Sequence, residues 1–358
     1  MPSSDAGPAA RRIRRDLLRW FRAEDRRLPW RGTRDPYRVW ISEVMLQQTT
    51  VEAVRRRYDA FLRRFPDVRT LALAREESVL AAWSGLGYYA RARNLRRAAR
   101  EIVSRHGGTI PGDPDALRRL PGFGPYTAAA VCAIAFDRRL PAAEANVTRI
   151  VARLFALPGS PATARHRREV LARVEEILPD SGAGDATSAF MDLGQGICTP
   201  RRPACGICPL SGDCAALRLG LPEAFPRRTG KPAPRRVAVA ALFVERAGRA
   251  LLVRGGKGLL GGLWQFPSGA LEAGGRRQAR IRLAGRARAL GLTRERAPLA
   301  TVRHVVVNRR LEIEVFRGKA PGGVPALPAD ARWFAPRELA RAAIPTLTRK
   351  IARSVGFL

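Results

Sequence analysis

Four cysteines lie close together along the chain and could hold a metal centre. They are spaced C-x6-C-x2-C-x5-C, as Cys198, Cys205, Cys208 and Cys214. Four thiolates from a single loop favour either zinc or an iron-sulfur cluster. Structural zinc sites usually pair two C-x2-C units across a longer spacer, and this stretch has one such unit. The spacing therefore favours a [4Fe-4S] cluster, with structural zinc as the alternative.

A second candidate for chemistry is a carboxyl group in an apolar stretch. Glu43 is followed directly by Val44, Met45 and Leu46, in a pattern that predicts a helix. A carboxyl group removed from water has a raised pKa, so Glu43 could donate a proton near neutral pH. A lone glutamate is more often on a solvated helix face, and its apolar neighbours argue against that interpretation.

Residues 120–128 read LPGFGPYTA, which places two glycines before a predicted helix. Gly122 and Gly124 leave their backbone N–H groups unhindered, so these groups can approach a phosphate at the helix N-terminus. Such a turn suits anchoring of DNA without reference to its sequence. A lone G-x-G is more often a plain turn, so this motif needs the support of others.

The elements that must position these residues fall into two groups. Residues 11–219 read as successive amphipathic helices, and residues 220–235 form a linker rich in proline and basic residues. Residues 236–358 alternate short β-branched segments with one helical stretch, which predicts an α+β domain. Residues 1–10 are predicted to be a disordered N-terminus. The fold class is therefore multidomain, an all-α domain followed by an α+β domain.

Composition narrows the function. The 358 residues include 65 Lys and Arg against 31 Asp and Glu, a formal charge of +34, which favours a polyanion such as nucleic acid as partner. An arginine excess can also reflect genome base composition, so charge alone does not decide. The longest apolar runs are shorter than the roughly 18 residues of a membrane span, and the first residues do not read as a signal core. We therefore expect a cytoplasmic, nucleoid-associated bacterial protein that does not bind membranes.

Further motifs carry a family resemblance. Residues 28–31 read LPWR, residues 39–49 read VWISEVMLQQT, residues 86–89 read LGYY and residues 262–267 read GLWQFP. With the cysteine spacing and the LPGFGPYTA segment, these resemble the MutY-type adenine DNA glycosylase family of the helix-hairpin-helix endonuclease III superfamily over nearly the whole chain. The resemblance implies a helix-hairpin-helix glycosylase domain with a [4Fe-4S] loop, then a Nudix-like domain that recognises the lesion.

The resemblance also implies catalytic roles. Glu43 would protonate N7 of adenine, and a second carboxylate would stabilise the cationic sugar. The family carries that carboxylate as Asp in D-G-N-V, whereas this chain reads E-A-N-V at 144–147, so Glu144 takes the role with a longer side chain. Tyr126 stands where bifunctional relatives carry a Schiff-base lysine, which implies monofunctional hydrolysis. Tyr126 and Asn146 would orient the carboxylates.

Other family positions contact the flipped base, the gap in the base stack, the opposite base or the backbone. By resemblance they are Trp30, Arg31 and Leu46 in the adenine pocket, Gln48 and Tyr88 as wedges, Thr49 and Leu86 against the opposite base, and Gly122, Gly124 and Thr127 in the hairpin.

The chain departs from the family at three further places. Ser188 stands where a pocket glutamate reads the adenine amine, and Val306, Val307 and Asn308 stand where a Phe-Ser-His tip checks the opposite lesion. Residues 273–294 contain no Asp or Glu, so the Mg²⁺-binding glutamates of Nudix hydrolases are missing. Pyrophosphatase activity is therefore not expected, and Asn308 is left as the polar group of the tip.

We expect a monomeric, monofunctional DNA glycosylase of base excision repair that acts on double-stranded DNA, at adenine mispaired with 8-oxoguanine or guanine. One alternative is a related mismatch or damaged-base glycosylase with altered base specificity. The other is a catalytically weak lesion-binding protein.

Overall fold

The computed structural model describes residues 7–24, 27–227, 230, 233–256, 260–269, 275–320 and 327–358. Contacts divide the chain into a first unit, Met1–Leu73 with Arg97–Gly230, and a second unit, Ala74–Arg96 with Lys231–Leu358. The second unit thus includes part of the helical segment, whereas the sequence analysis assigned all of residues 11–219 to the first domain. The first helix begins at Pro8, so residues 8–10 of the predicted disordered N-terminus are helical; residues 1–6 lie outside the described residues.

The predicted helices are present before residue 220. In chain order they are α1 Pro8–Ala23, α2 Pro36–Leu46, α3 Val51–Arg64, α4 Val68–Leu73, α5 Glu76–Ala82, α6 Ala90–His106, α7 Pro114–Arg118, α8 Pro125–Phe136, α9 Ala145–Leu154, α10 Ala164–Ile177, α11 Ala183–Gly196 and α12 Ala215–Arg218. Short 3-10 turns lie between α11 and α12, at Cys205–Ile207 and Ser211–Asp213, and after α12, at Pro222–Ala224. None of the helices in the described part of the chain is long and apolar enough to cross a membrane.

One apolar core of the first unit joins α1, α9, α10 and α11. Leu17, Val151, Val174 and Phe190 are buried there, one from each helix. The buried side chains recur at three- and four-residue spacing along each helix, which places them on one face. This core packs α9 against α11, and both helices carry residues of the candidate site.

The turn between α7 and α8 fixes the start of α8. Gly122 has φ +83°, a conformation that side chains other than glycine rarely adopt. Phe123, which follows it, is buried and stacks on Trp40 of α2 with ring centroids 5.2 Å apart. The aromatic pair therefore ties the first turn of α8 to the middle of α2, where Glu43 lies.

The second unit contains a mixed sheet. Its strands are β1 Arg235–Arg246, β2 Arg249–Arg254, β3 Trp264–Gln265, β4 Thr293–Val306, β5 Arg309–Lys319 and β6 Ala331–Phe334, and its remaining helices are α13 Arg276–Ala289, α14 Pro336–Arg341 and α15 Thr346–Ser354. The strand order is β3-β2-β1-β5-β4, with β6 also paired to β2. Only the β1–β5 pair is parallel among the described strands.

Helices cover both faces of this sheet. Leu283 of α13 packs with Leu242 and Phe316 on one face, and Ile351 of α15 packs with Phe243 and Ile313 on the other. Alternate residues of β1 point to opposite faces, so Leu242 and Phe243 enter different cores. The α+β prediction for this domain is confirmed.

Candidate active site

Helix α2 carries Glu43 into the interior of the first unit. Asp35 caps the helix by accepting hydrogen bonds from the backbone N–H groups of Tyr37 and Arg38, at 2.8 and 3.4 Å, and Pro36 occupies its first turn. Every residue from Tyr37 to Met45 except Arg38 is buried, so this helix has no wide solvated face. Glu43 is only 3% exposed, and burial raises the pKa of its carboxyl group.

Tyr126, near the start of α8, contacts Glu43 directly. Its hydroxyl donates a hydrogen bond to Glu43 Oε2 at 2.9 Å. Burial raises the pKa of Tyr126 well above its usual value, and the nearby carboxylates act in the same direction. The phenol therefore stays protonated as a donor and fixes the orientation of the Glu43 carboxyl group.

Glu144 is the N-cap of α9. Its carboxylate accepts a hydrogen bond from the backbone N–H of Asn146 at 2.8 Å. Burial raises the pKa of Glu144, while N–H groups at the helix start favour the ionised form. The charge of Glu144 in turn raises the pKa of Glu43, so the two acids influence each other. The Asn146 side chain is also tied to Arg149, whose Nη2 donates to Asn146 Oδ1 at 2.8 Å.

An ion pair that the sequence analysis missed lies beside these acids. Arg31 donates to both carboxylate oxygens of Asp192, at 2.6 and 3.2 Å. The side chain of Arg31 is 13% exposed and that of Asp192 is 2% exposed, so the pair is largely shielded from solvent. Arg31 lowers the pKa of Glu43 and Asp192 raises it. Asp192 lies in the apolar segment FMDL, and that pattern, the same as that around Glu43, could have identified it.

The structure also places Trp30 and Ser188, which are predicted to line the base pocket, and Thr127, which is predicted to belong to the hairpin. Trp30 is buried, packs edge-on to Tyr58 at 5.5 Å, and its Nε1 has no hydrogen-bond partner within the described residues. Thr127 is buried and accepts a hydrogen bond from Gln47 at 3.0 Å. Ser188 is buried in α11. The roles of Trp30, Thr127 and Ser188 stay predictions.

The predicted wedge and backbone contacts are mostly surface positions. Gln48 is exposed with φ +54°, Leu46 and Thr49 are half-buried, and Gly122 and Gly124 are exposed. In the second unit, Leu86 is buried, Tyr88 is 40% exposed with φ +45°, and Asn308 is exposed in the turn between β4 and β5. These residues are divided between the two units. Their roles in contacting DNA stay predictions.

The four cysteine thiols surround one cavity of about 30 Å³. Arg153 is buried beside it and donates to Cys198 Sγ at 3.2 Å and to the carbonyl of Thr199 at 2.8 Å. No three His, Cys, Asp or Glu side chains in the described ranges could hold a single metal ion. Thiols arranged around an open centre fit a cluster of several atoms better than zinc, whose ligands converge to about 2.3 Å from one ion.

Family models match three parts of the chain. Residues 41–176 match the HhH-GPD superfamily base excision DNA repair protein, residues 198–214 the iron-sulfur binding domain of endonuclease III, and residues 239–354 the NUDIX domain. The adenine DNA glycosylase of Rattus norvegicus is 33% identical over 95% of this chain and 77% of its own length. That of Mycobacterium tuberculosis is 39% identical over 60% of this chain and 71% of its own length.

The chain belongs to the adenine DNA glycosylase family.

Among solved structures, a thermostable thymine-DNA glycosylase has a comparable fold, with TM-score 0.54 and 28% identity over 60% of this chain and all of its own. The protein is thus a DNA N-glycosylase of base excision repair that binds DNA and carries an iron-sulfur cluster on its cysteine loop. The expected fold class, enzyme class and cluster are confirmed. As in the sequence prediction, a buried acid, Glu43, and a hairpin turn before α8 lie within the glycosylase domain.

Proposed function

We propose that this adenine DNA glycosylase homologue removes adenine mispaired with 8-oxoguanine or guanine, by monofunctional hydrolysis. The hydrogen bond of 2.9 Å from Tyr126 to the buried carboxyl group of Glu43 carries the proposal. This hydrogen bond holds the carboxyl group in one orientation, and burial, which raises the pKa of Glu43, favours its protonated form. Such an acid is what departure of a purine requires.

In the proposed reaction, Glu43 transfers its proton to N7 of the flipped adenine. The C1′–N9 bond breaks and its electron pair leaves with the base, which departs neutral. The cationic deoxyribose is stabilised by the carboxylate of Glu144, whose position is held by the backbone N–H of Asn146. Water then bonds to C1′ and loses a proton to a carboxylate, leaving an abasic site.

Tyr126 supports hydrolysis without strand cleavage. A phenol cannot form the imine that a bifunctional glycosylase makes with its lysine. Here the Tyr126 hydroxyl is also occupied as a donor to Glu43. We therefore infer that the abasic product is released with its strand intact.

The test is single-turnover base release on a panel of duplexes. Adenine opposite 8-oxoguanine, guanine, cytosine or thymine would be compared with thymine opposite guanine, using wild type and Glu43→Gln. Glu52→Gln is the matched control, since Glu52 is an exposed acid on α3. Adenine release opposite 8-oxoguanine should be fastest in wild type and in the control, and nearly lost in Glu43→Gln. Equal release by both variants would contradict the mechanism.

A second candidate is a related glycosylase that prefers another base or mispair. Ser188 in place of the pocket glutamate, Glu144 in place of aspartate, and Val306 and Val307 at the tip favour it. The same panel separates the two, because the alternative requires faster release from a duplex other than adenine opposite 8-oxoguanine. A lesion-binding protein without activity would release no base from any duplex.

We also infer that the enzyme acts as a monomer on DNA in the bacterial cytoplasm. Glu43, Tyr126, Glu144 and the Arg31–Asp192 pair all come from one chain, so the proposed reaction does not require a second copy. Sedimentation of the protein with and without a duplex would test this, and a dimer at catalytic concentrations would contradict it.

A further inference from the structure

Helix α2 is joined to the start of α8 by a second polar contact, one helical turn beyond Glu43. The side-chain amide of Gln47, at the end of α2, donates a hydrogen bond to the Thr127 hydroxyl at 3.0 Å. Gln47 follows Glu43 by four residues, and Thr127 directly follows Tyr126, which donates to Glu43. The two hydrogen bonds therefore lie beside each other between the same two helices.

The contacts of α2 with the start of α8 and with the turn before it follow one face of α2. Three contacts join these segments in order along α2, namely Trp40 with Phe123, Glu43 with Tyr126, and Gln47 with Thr127. Steps of three and four residues place these side chains of α2 on the same face. The hydrogen bond to the acid thus lies between an aromatic contact and a second hydrogen bond, and both restrain α8 against α2.

Burial makes the hydrogen bond between Gln47 and Thr127 costly to lose. Thr127 is 2% exposed, and a buried hydroxyl group without a partner carries an uncompensated desolvation penalty. The amide of Gln47 removes this penalty when α8 has the position that the structure shows. A displacement of α8 along α2 would break this bond together with the bond from Tyr126 to Glu43, so the two bonds favour the same position.

Gln47 also lies where the chain leaves α2. Its ψ of 117° is outside the helical range, and the next residue, Gln48, has φ +54°. The side chain of Gln47 therefore restrains the end of the helix that carries the acid. Because Gln48 is a predicted wedge, an effect of Gln47 on the DNA contact of Gln48 is the competing explanation.

We propose that Gln47 is a positioning residue for the general acid, which acts through Thr127 to keep the Tyr126 hydroxyl in place as a donor to Glu43. This inference rests on the proposed function, because that function gives Glu43 the role of the acid. A hydrogen bond weakens steeply as its donor moves away or out of line, so a small displacement of α8 would weaken the bond to Glu43.

The ionisation of Glu43 reports on this restraint. Donation by Tyr126 favours the ionised form of Glu43 and so opposes the effect of burial on the pKa of Glu43. Three other charged groups face Glu43, namely Arg31 from the segment before α2, Glu144 from the start of α9 and Asp192 from α11. Because substitutions at Gln47 and Thr127 leave these three in place, a rise in the pKa of Glu43 would be due to a weaker hydrogen bond from Tyr126.

Single-turnover base release across a range of pH provides the test. Gln47→Met keeps the length of the side chain without its donor, Thr127→Val keeps the shape without the hydroxyl, and Thr127→Ser retains the hydroxyl. Gln278→Ala is the control, since Gln278 is an exposed glutamine of α13. Thermal melting checks that each variant folds. If Thr127→Val does not fold, Gln47→Met carries the test, because Gln47 is only half-buried.

Gln47→Met and Thr127→Val should each lower the rate about tenfold at neutral pH, because the acid is less well oriented. In both, the alkaline decline in rate should begin at a higher pH than in wild type. Thr127→Ser and the control should keep the rate within about twofold, with an unchanged pH profile. Slower release with an unchanged pH profile in Gln47→Met would overturn the proposal and assign Gln47 to the DNA contact of Gln48.

A double variant shows whether Gln47 acts through Tyr126. Tyr126→Phe removes the hydrogen bond to Glu43 altogether, so adding Gln47→Met to it should not move the alkaline decline any further. A further movement of the decline would overturn the proposal, since Gln47 would then affect Glu43 by another route.

Infrared difference titration of the DNA-free protein separates this proposal from the proposed function. The carboxyl band of Glu43 is assigned by its absence in Glu43→Gln, and its titration midpoint is compared between wild type and Gln47→Met. A higher midpoint in Gln47→Met supports the proposal, and equal midpoints overturn it, whether or not the protein releases adenine. Absence of base release by the wild type would contradict the proposed function alone.

Discussion

Charged side chains have opposite surroundings in the candidate active site of the first unit and in the β1–β5 strand pair of the second. In the first unit, Glu43, Asp192 and Arg31 are buried or nearly so, and each is held by a partner at 2.6 to 3.2 Å. In the second unit, Arg236 of β1 and Arg310 of β5 are neighbours across the parallel strand pair, are exposed, and have side chains without a partner within the described residues. The charges of the candidate active site are constrained by their partners, whereas those of Arg236 and Arg310 are open to solvent.

This difference matches two different tasks. Proton transfer requires a group whose pKa is shifted by burial and whose position is fixed, and both conditions need a dry, bonded environment. Attraction of a polyanion requires charges that are close to solvent and not yet neutralised. Because one dielectric environment cannot serve both tasks, we expect mutations of the buried acids to alter rates and stability, and mutations of the exposed arginines to alter binding.

The largest effect should come from Glu43→Gln. Loss of the general acid should lower the single-turnover rate by about 10² to 10⁴. The Gln side chain can still accept the Tyr126 hydrogen bond, so the loss should be chemical rather than structural. Quenched-flow measurement of base release at saturating enzyme checks this. A rate within about threefold of wild type would contradict this prediction, because Glu43 would then not act as the general acid.

Breaking the Arg31–Asp192 pair should have the next largest effect. Asp192→Asn leaves Arg31 buried without its counter-ion, which should cost about 3 to 5 kcal/mol in urea unfolding. Loss of the Asp192 charge should also lower the pKa of Glu43. In a pH profile of base release, the alkaline decline in rate should therefore begin at a lower pH than in wild type.

Glu314→Gln is the control in the second unit. Glu314 accepts both hydrogen bonds of a similar bidentate pair, from Arg280 at 2.7 and 2.8 Å, but that arginine is 41% exposed. Its loss should cost less than that of Asp192, because solvent screens the charge that remains. Equal losses would show that burial does not distinguish the two pairs.

Local patterns in the sequence predicted much of this arrangement. The cysteine spacing, the LPGFGPYTA turn and the apolar surroundings of Glu43 lie each within a short segment, so neighbouring residues reveal them. The Arg31–Asp192 pair joins residues separated by 161 positions, and the packing of residues 74–96 with the second unit also joins segments far apart in sequence. The pairing of Arg236 with Arg310 depends on strand register, which hydrophobic alternation does not fully determine.

Substitutions at Glu144 should give a smaller, graded effect. Glu144→Gln removes the charge that stabilises the sugar cation and should lower the rate by about 10² to 10³. Glu144→Asp keeps the charge and the capping role at the start of α9, so its rate should stay within about tenfold of wild type. Single-turnover rates of both variants check this. If Gln and Asp reduce the rate equally, the position of the side chain matters and its charge does not.

The smallest effect should be a pH-dependent shift in stability, and its sign should differ between the two units. Burial holds the pKa of Glu43 above its unfolded value, so the unfolded state ionises first and stability is lost as pH rises. Glu43→Gln should therefore raise the melting temperature relative to wild type, and more at pH 8 than at pH 4.

Glu338 caps α14 by accepting a hydrogen bond from the backbone N–H of Ala335 at 2.8 Å, which lowers the pKa of Glu338. Its stabilising effect is present at neutral pH and lost in acid, so Glu338→Gln should lower the melting temperature at pH 8 and have little effect at pH 4. Shifts of the same sign in both variants would contradict the contrast between a buried acid and a solvated one.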